Sequence, residues 1–214
     1  MRSSVCLIGI TGLPGSGKSL FATHLARLGV TVISADSVGH EVLTDPCVVR
    51  ALAAEFGIGI AEGGGTIDRS ELGRRLVSRD QVDVLNRIVH PPLLRRLAKR
   101  TRDALTAVRG GAVAVDAALI PEWGIEGYFD LVVFVAAPAE LRHARMARVA
   151  RDQALIQVLE QSQLDEDAKR ERSHIVVENL STIERLQQRA DALFIALTRS
   201  NRREESCPRR LWSD

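Results

Sequence analysis

The sequence has little of three things that would otherwise fix its class. Its three cysteines, Cys6, Cys47 and Cys207, are odd in number, far apart and form no C-x-x-C pair. A disulfide framework or a zinc site is therefore not expected, and a reducing compartment fits. No apolar run reaches the length of a membrane span, which argues against a helical membrane protein. Charge of one sign is also missing. With 29 basic and 27 acidic residues the formal net charge is +2, too balanced for a chain that grips nucleic acid. The first apolar run begins at Val5, with no room before it for a signal peptide, so the cytoplasm is the expected compartment. There is no internal repeat and no low-complexity tract. What remains is the ordinary composition of a globular protein, 45% hydrophobic and 26% charged over 214 residues, which suits one domain or a core with an insertion.

A fourth scarcity points to chemistry. The chain has 26 arginines but only three lysines, Lys18, Lys99 and Lys169. Lys18 stands in Gly12-Leu13-Pro14-Gly15-Ser16-Gly17-Lys18-Ser19, which fits G-x-x-x-x-G-K-[ST] at every required position. Glycines let a backbone turn tightly enough for successive N–H groups to point at phosphate oxygens. The helix that follows turns its positive N-terminal end to the same anion. A lysine at this place is the compact point charge that reaches β- and γ-phosphates, and the Ser19 hydroxyl can ligate Mg²⁺. The flanks agree: Val5–Ile10 reads as a buried parallel strand, and Leu20, Leu25 and Leu28 form a helical stripe that stops at Gly29.

A second strand is expected over Val30–Ser34, followed by Asp36. In open parallel sheets ligands bind beyond the carboxyl ends of the strands, so Asp36 should share an edge with the phosphate loop and meet an acceptor hydroxyl. The other reading of Asp36 is a helix N-cap. From Asp45 to Arg109 the pattern is helical. Pro46 should start a helix ending at Phe56 with Gly57 beyond it, and the glycine-rich 57–66 should be a surface loop. Asp68-Arg69-Ser70-Glu71 has capping-box spacing. Pro91 and Pro92 should break one helix and restart another that reaches about Val108. This block is longer than a crossover needs and reads as an inserted substrate-binding region. Ala112–Asp116, Leu131–Val135 and Ile175–Val177 supply three more strands. Asp116 either holds a Mg²⁺-bound water or is a paired structural carboxylate. Arg142, Arg145, Arg148 and Arg151 recur every third residue, so neighbours among them can clamp a phosphate while the set drifts around the helix. The last helix is expected over Thr182–Leu197, with a basic, disordered tail after it.

In that order these residues resemble the dephospho-coenzyme A kinase family, from about Val5 to Leu197. The phosphate loop is generic to kinases. More specific are Ser34-Ala35-Asp36, Ile67-Asp68-Arg69 with Leu72, Leu85 to Pro91 with its His90-Pro91 pair, and Asp116-Ala117-Ala118-Leu119-Ile120-Pro121-Glu122. Arg148, Gln163 and Ile175–Asn179 complete the markers. The resemblance implies ATP-dependent phosphorylation of the 3′-hydroxyl of dephospho-CoA, with Mg²⁺. It implies catalytic roles for Asp36, Lys18 and Arg148, and a nucleotide cradle of Gly12–Ser19 with Arg145 and Asn179, the last near adenine. It puts His90, Asp116, Leu119 and Glu122 on the acceptor side.

The family's Asp-Ala-Asp is Ser34-Ala35-Asp36 here, its Pro-Leu-Leu-Phe-Glu is Ala118–Glu122, and its Ala-Asp before the last strand is Ser173-His174. The expected fold is α/β and P-loop NTPase-like, three-layered, with a five-stranded parallel sheet. A single domain would span 1–197: a core of about 1–36, 110–139 and 173–197, an insertion of about 37–109 and a lid of about 140–172, before a tail over 198–214. A small-molecule partner is implied, in a monomer that needs neither nucleic acid nor membrane. Two alternatives stand beside this: a P-loop kinase for another small acceptor such as a nucleoside monophosphate, and a nucleotide-switch binding module. The lack of an Asn-Lys pair argues against a guanine-reading switch.

Overall fold

The structure is a computed structural model that describes residues 5–57, 66–149 and 162–200. Its elements, in order, are β1 (Val5–Thr11), α1 (Lys18–Arg27), β2 (Thr31–Ser34), α2 (Ala35–Val42), α3 (Pro46–Phe56), α4 (Arg69–Arg75), α5 (Arg79–Ala107), β3 (Gly111–Asp116), β4 (Leu131–Ala136), α6 (Ala139–Val149), α7 (Glu166–Glu171), β5 (Ile175–Glu178) and α8 (Ile183–Ser200). The five strands form one parallel sheet, as the continuous apolar runs predict; their order is β2-β3-β1-β4-β5. Among the described residues no helix is long and apolar enough to cross a membrane.

Two compact units divide the chain. The first comprises Met1–Ser34, Ala98–Val149 and Leu164–Asp214. Its strands expose alternate residues to opposite faces. Ile8 and Ile10 of β1, with Val133 and Val135 of β4, pack against Phe21 and Leu25 of α1 and Leu186, Ala190 and Leu193 of α8. His24 Nε2 and Asp191 Oδ1, 2.8 Å apart, tie these two helices together. On the other face Gly9 leaves room for Ile120 and Phe129, which a Cβ there would meet at 3.0 and 3.1 Å.

The sheet grows past β1 by a device used twice. Asp130, just before β4, donates its N–H to Leu7 O and accepts the Leu7 N–H on Oδ2 at 2.7 Å. His174, just before β5, donates its N–H to Val132 O and accepts the Val132 N–H on Nδ1 at 2.9 Å. In each case a side chain takes the backbone donor that the incoming strand has not yet reached, so buried N–H groups are not left orphaned.

The second unit comprises Ala35–Leu97 and Ala150–Gln163. Pro46 and Gly57 bound α3 as expected, and Asp45 caps it by accepting Cys47 N–H at 3.0 Å. Arg96 of α5 donates to Glu41 O and pairs with Asp45 at 2.6 Å, pinning the turn between α2 and α3. Asp68 caps α4 through the Ser70 and Glu71 amides. The other half of the capping box is replaced: the Glu71 carboxylate is taken by Arg74 and Arg75, which hold it below the usual carboxylate range.

The expected break at Pro91-Pro92 is a correction: α5 runs unbroken from Arg79 to Ala107 with both prolines inside it. Proline's fixed φ suits a helix, and what it removes is a backbone donor. Buried Val82 before the pair and Leu93 and Leu97 after it anchor the helix on both sides, and such tertiary packing supplies most helical stability. The glycine-rich 58–65 and the tail from 201 lie outside the described residues; α8 continues three residues past the expected end at Leu197.

Candidate active site

Because all five strands are parallel, the phosphate loop, Ser34 and Asp116 leave the sheet at one edge, and Ile10, Ser34 and Asp116 are paired in register. The loop needs its glycines for two reasons. Gly15 and Gly17 have φ of +75 and +93, the left-handed region that side chains avoid. Their surroundings are also closed. A Cβ on Gly15 would lie 2.6 Å from Arg142 O in α6, and one on Gly17 would strike the Asn179 amide. At Gly12 a Cβ would come within 2.7 Å of Val135 O in β4.

The outer side of the loop is held by cations and an amide. Arg142, 8% exposed, donates to Ala137 O at 3.2 Å and Pro14 O at 3.4 Å. Arg145 donates to Gly15 O at 3.1 Å. Asn179, buried after β5, donates from its side chain to Ser16 O at 2.8 Å and from its backbone to Ala136 O at 2.7 Å. These bonds fix the loop's carbonyls, and the Ser16 N–H closes a turn within it by donating to Leu13 O at 3.1 Å. Ser16 Oγ is buried without a hydrogen-bond partner among the described residues, an unmet polar atom inside the cradle.

At the inner side, Lys18 Nζ pairs with Asp116 Oδ1. Both side chains are about nine-tenths buried, at 11% and 8% exposure. Ser19 is exposed in the first turn of α1. Beyond Asp116 the chain turns through Ala117–Glu122. Ala118 O accepts from Thr11 Oγ1 and from Lys169 Nζ, each at 2.8 Å. Lys169, fully buried in α7, also pairs with Glu122 Oε1 at 2.7 Å. Burial pushes its pKa down from the ordinary value; the Glu122 carboxylate opposes this and the nearby Lys18 charge adds to it.

The structure thus brings together Gly12, Leu13, Pro14, Gly15, Ser16, Gly17, Lys18, Ser19, Asp116, Leu119, Glu122, Arg145 and Asn179 in the first unit. Asp36 and His90 belong to the second unit. Asp36 is exposed two residues past Ser34. It is not an N-cap: α2 begins at Ala35, and Asp36 lies inside its first turn. His90 is half-buried within α5. Arg148 stands in α6 with its side chain outside the described residues, and Arg151 lies outside them altogether. Sequence reasoning assigned no task to Lys169 or Thr11; it offered Arg142 to a phosphate, whereas the structure sets it on the backbone carbonyls of Ala137 and Pro14. The scarcity of lysine was the one signal that could have marked Lys169.

The family model for dephospho-CoA kinase matches residues 6–185. The chain is 37% identical over 188 residues to the dephospho-CoA kinase of Deinococcus radiodurans, covering 86% of this chain and 89% of that protein. It is 33% identical over 195 residues to that of Leifsonia xyli, covering 89% and 98%. The solved dephospho-CoA kinase of Campylobacter jejuni shares the fold, with a TM-score of 0.68, 20% identity, and 94% and 100% of the two chains covered.

Proposed function

Since this chain belongs to the dephospho-CoA kinase family, we propose that it moves the terminal phosphoryl group of ATP to the 3′-hydroxyl of dephospho-CoA. It is a kinase, and its family works in coenzyme A biosynthesis. Membership sets aside the nucleotide-switch reading. The observation that carries the mechanism is the Lys18–Asp116 pair at the mouth of a loop whose outward carbonyls are already satisfied.

Phosphoryl transfer asks for positioning and neutralisation of charge more than for covalent help. In this reading the loop amides of Gly12–Ser19 cradle the phosphates. Lys18 leaves Asp116 for the β- and γ-oxygens, exchanging one anion for another. Arg145 and Arg148 add positive charge from α6. Asp36, at a helix N-terminus beyond β2, orients the acceptor hydroxyl and takes its proton. The turn Ala118–Glu122, with Leu119, and His90 from α5 hold the rest of the acceptor. The Ser19 hydroxyl and the Asp116 carboxylate are hard oxygen donors of the kind Mg²⁺ prefers. When bound, the ion would neutralise charge on the transferring phosphates.

ADP release coupled to an indicator reaction tests this directly. Dephospho-CoA should be turned over with a kcat/KM at least about 10²-fold above any nucleoside monophosphate or sugar in a panel. Equal turnover of another acceptor would overturn it.

A further inference from the structure

Lys169 is not among the residues assigned above, yet it is the most thoroughly buried cation among the described residues, with 0% exposure. A lysine in that position needs a reason. Burying an ion pair costs desolvation that attraction often only balances, so a pair such as Lys169–Glu122 is weak evidence of stability for its own sake. The residue type is also out of keeping with the chain, which uses arginine almost everywhere else. A guanidinium would bring five donors on a rigid plane into a dry site, whereas an ammonium can aim its few donors at convergent acceptors.

Those acceptors have a common address. Ala118 O and Glu122 Oε1 bracket the turn that follows Asp116. Glu122 Oε1 also accepts the Leu164 N–H at 3.0 Å, where the chain re-enters the first unit. Thr11 holds Ala118 O from β1, and Arg172 donates to Pro121 O at 3.1 Å. The turn is thus fastened at both ends by one side chain, and it follows directly on Asp116, whose carboxylate pairs with Lys18.

We propose that Lys169 is a positioning residue for the acceptor: by joining Ala118 O to the Glu122 carboxylate it sets the shape of the 118–122 turn against which dephospho-CoA is aligned. This rests on the reading that the turn lies on the acceptor side. It requires Lys169 to act on the acceptor and not on ATP. The same ammonium fixes Glu122 Oε1, so the loss of either partner should remove one shared effect.

The test uses the full chain with Lys169→Met, Glu122→Gln and the double variant. Lys169→Met should lower kcat/KM for dephospho-CoA by about 10²-fold, as a small misplacement of a reactant does, while the Kd for ATP stays within about twofold of wild type. The double variant should be no worse than Lys169→Met alone. Amide exchange at Ala117, Trp123 and Ile125, whose N–H groups bond within or next to the turn, should quicken in the variant without any substrate. Parallel loss of ATP affinity, additive single effects, or unchanged kinetics would overturn the proposal. If Lys169→Met does not fold, Lys169→Arg is judged by the same criteria. Wild-type protein that releases no ADP with dephospho-CoA would instead overturn the activity itself, and the exchange measurement would then decide the clamp alone.

Discussion

The side-chain amide of Asn179 donates to the carbonyl of Ser16 at 2.8 Å, across 163 residues of sequence. Asn179 is therefore a strut under the phosphate loop. Asn179→Ala would leave the buried Ser16 carbonyl with only the long 3.5 Å bond from Arg145, and losing the shorter bond should cost about 0.5–1.5 kcal/mol. Urea unfolding should show that loss together with a raised KM for ATP. A raised KM with unchanged stability would return the residue to direct contact with adenine.

Asp116 and Lys18 make a second pair whose disruption can be read. Asp116→Asn keeps the shape but removes the negative charge, and kcat should fall by about 10²-fold or more, with more Mg²⁺ needed for half-maximal activity. In the wild type a chelator should abolish turnover, and added Mg²⁺ should restore it. Turnover that survives chelation would remove the ion from the mechanism.

Asp36 carries the sharpest claim about the acceptor. Asp36→Asn should fold normally and bind ATP with unchanged affinity, because the residue is exposed. Turnover should drop by about 10²–10⁴-fold, the usual contribution of a general base. Full activity would take Asp36 out of the chemistry.

His174 occupies the place where the family usually has an aspartate. His174→Ala leaves the N–H of Val132, a fully buried residue, without its acceptor and should cost about 1–3 kcal/mol in urea unfolding. His174→Asp should recover most of that, since Asp130 does the same for Leu7 with a carboxylate. Equal losses in the two variants would show that the acceptor does not matter.

Lys169 also predicts a pH dependence. Its pKa is lowered in the folded chain from the ordinary 10.5, chiefly by burial. Between the lowered value and 10.5 the unfolded chain binds the extra proton, so the contribution of this residue to stability rises with pH through that window and is lost as pH falls through the folded value. Unfolding free energies of wild type and Lys169→Met, measured from neutral to alkaline pH, should therefore diverge in favour of the wild type as pH rises. A constant difference would mean that the ammonium is not perturbed.

These cases also show which parts of the molecule could be read in advance. The phosphate loop was legible because Gly12, Gly17, Lys18 and Ser19 stand at the spacing its chemistry requires, and a Cβ at either glycine would strike its surroundings. The strands were legible because a doubly covered parallel strand must be apolar throughout. The ends of α3 were written in Pro46 and Gly57. At Pro91-Pro92 the local rule failed, because packing by Leu93 and Leu97 outweighs two missing donors. Partners distant in sequence were beyond reach. Periodicity tells which face of a helix is buried, but not that the carboxylate meeting Lys169 comes from Glu122, or that Asn179 lies beneath Ser16. The capping alternative for Asp36 turned on a start at Ala35, a boundary that propensity does not resolve.

At Gly15 the phosphate loop lies so close to the backbone of α6 that an added Cβ would sit 2.6 Å from Arg142 O. Two pieces in such contact cannot be adjusted separately. A rotation of α6 must drag the crest of the loop with it, and a methyl group wedged between them would push apart the amides that should converge on one phosphate. Gly15→Ala is thus a change at a distance as much as a local one, and engineering of the arginine helix has to begin from that seam.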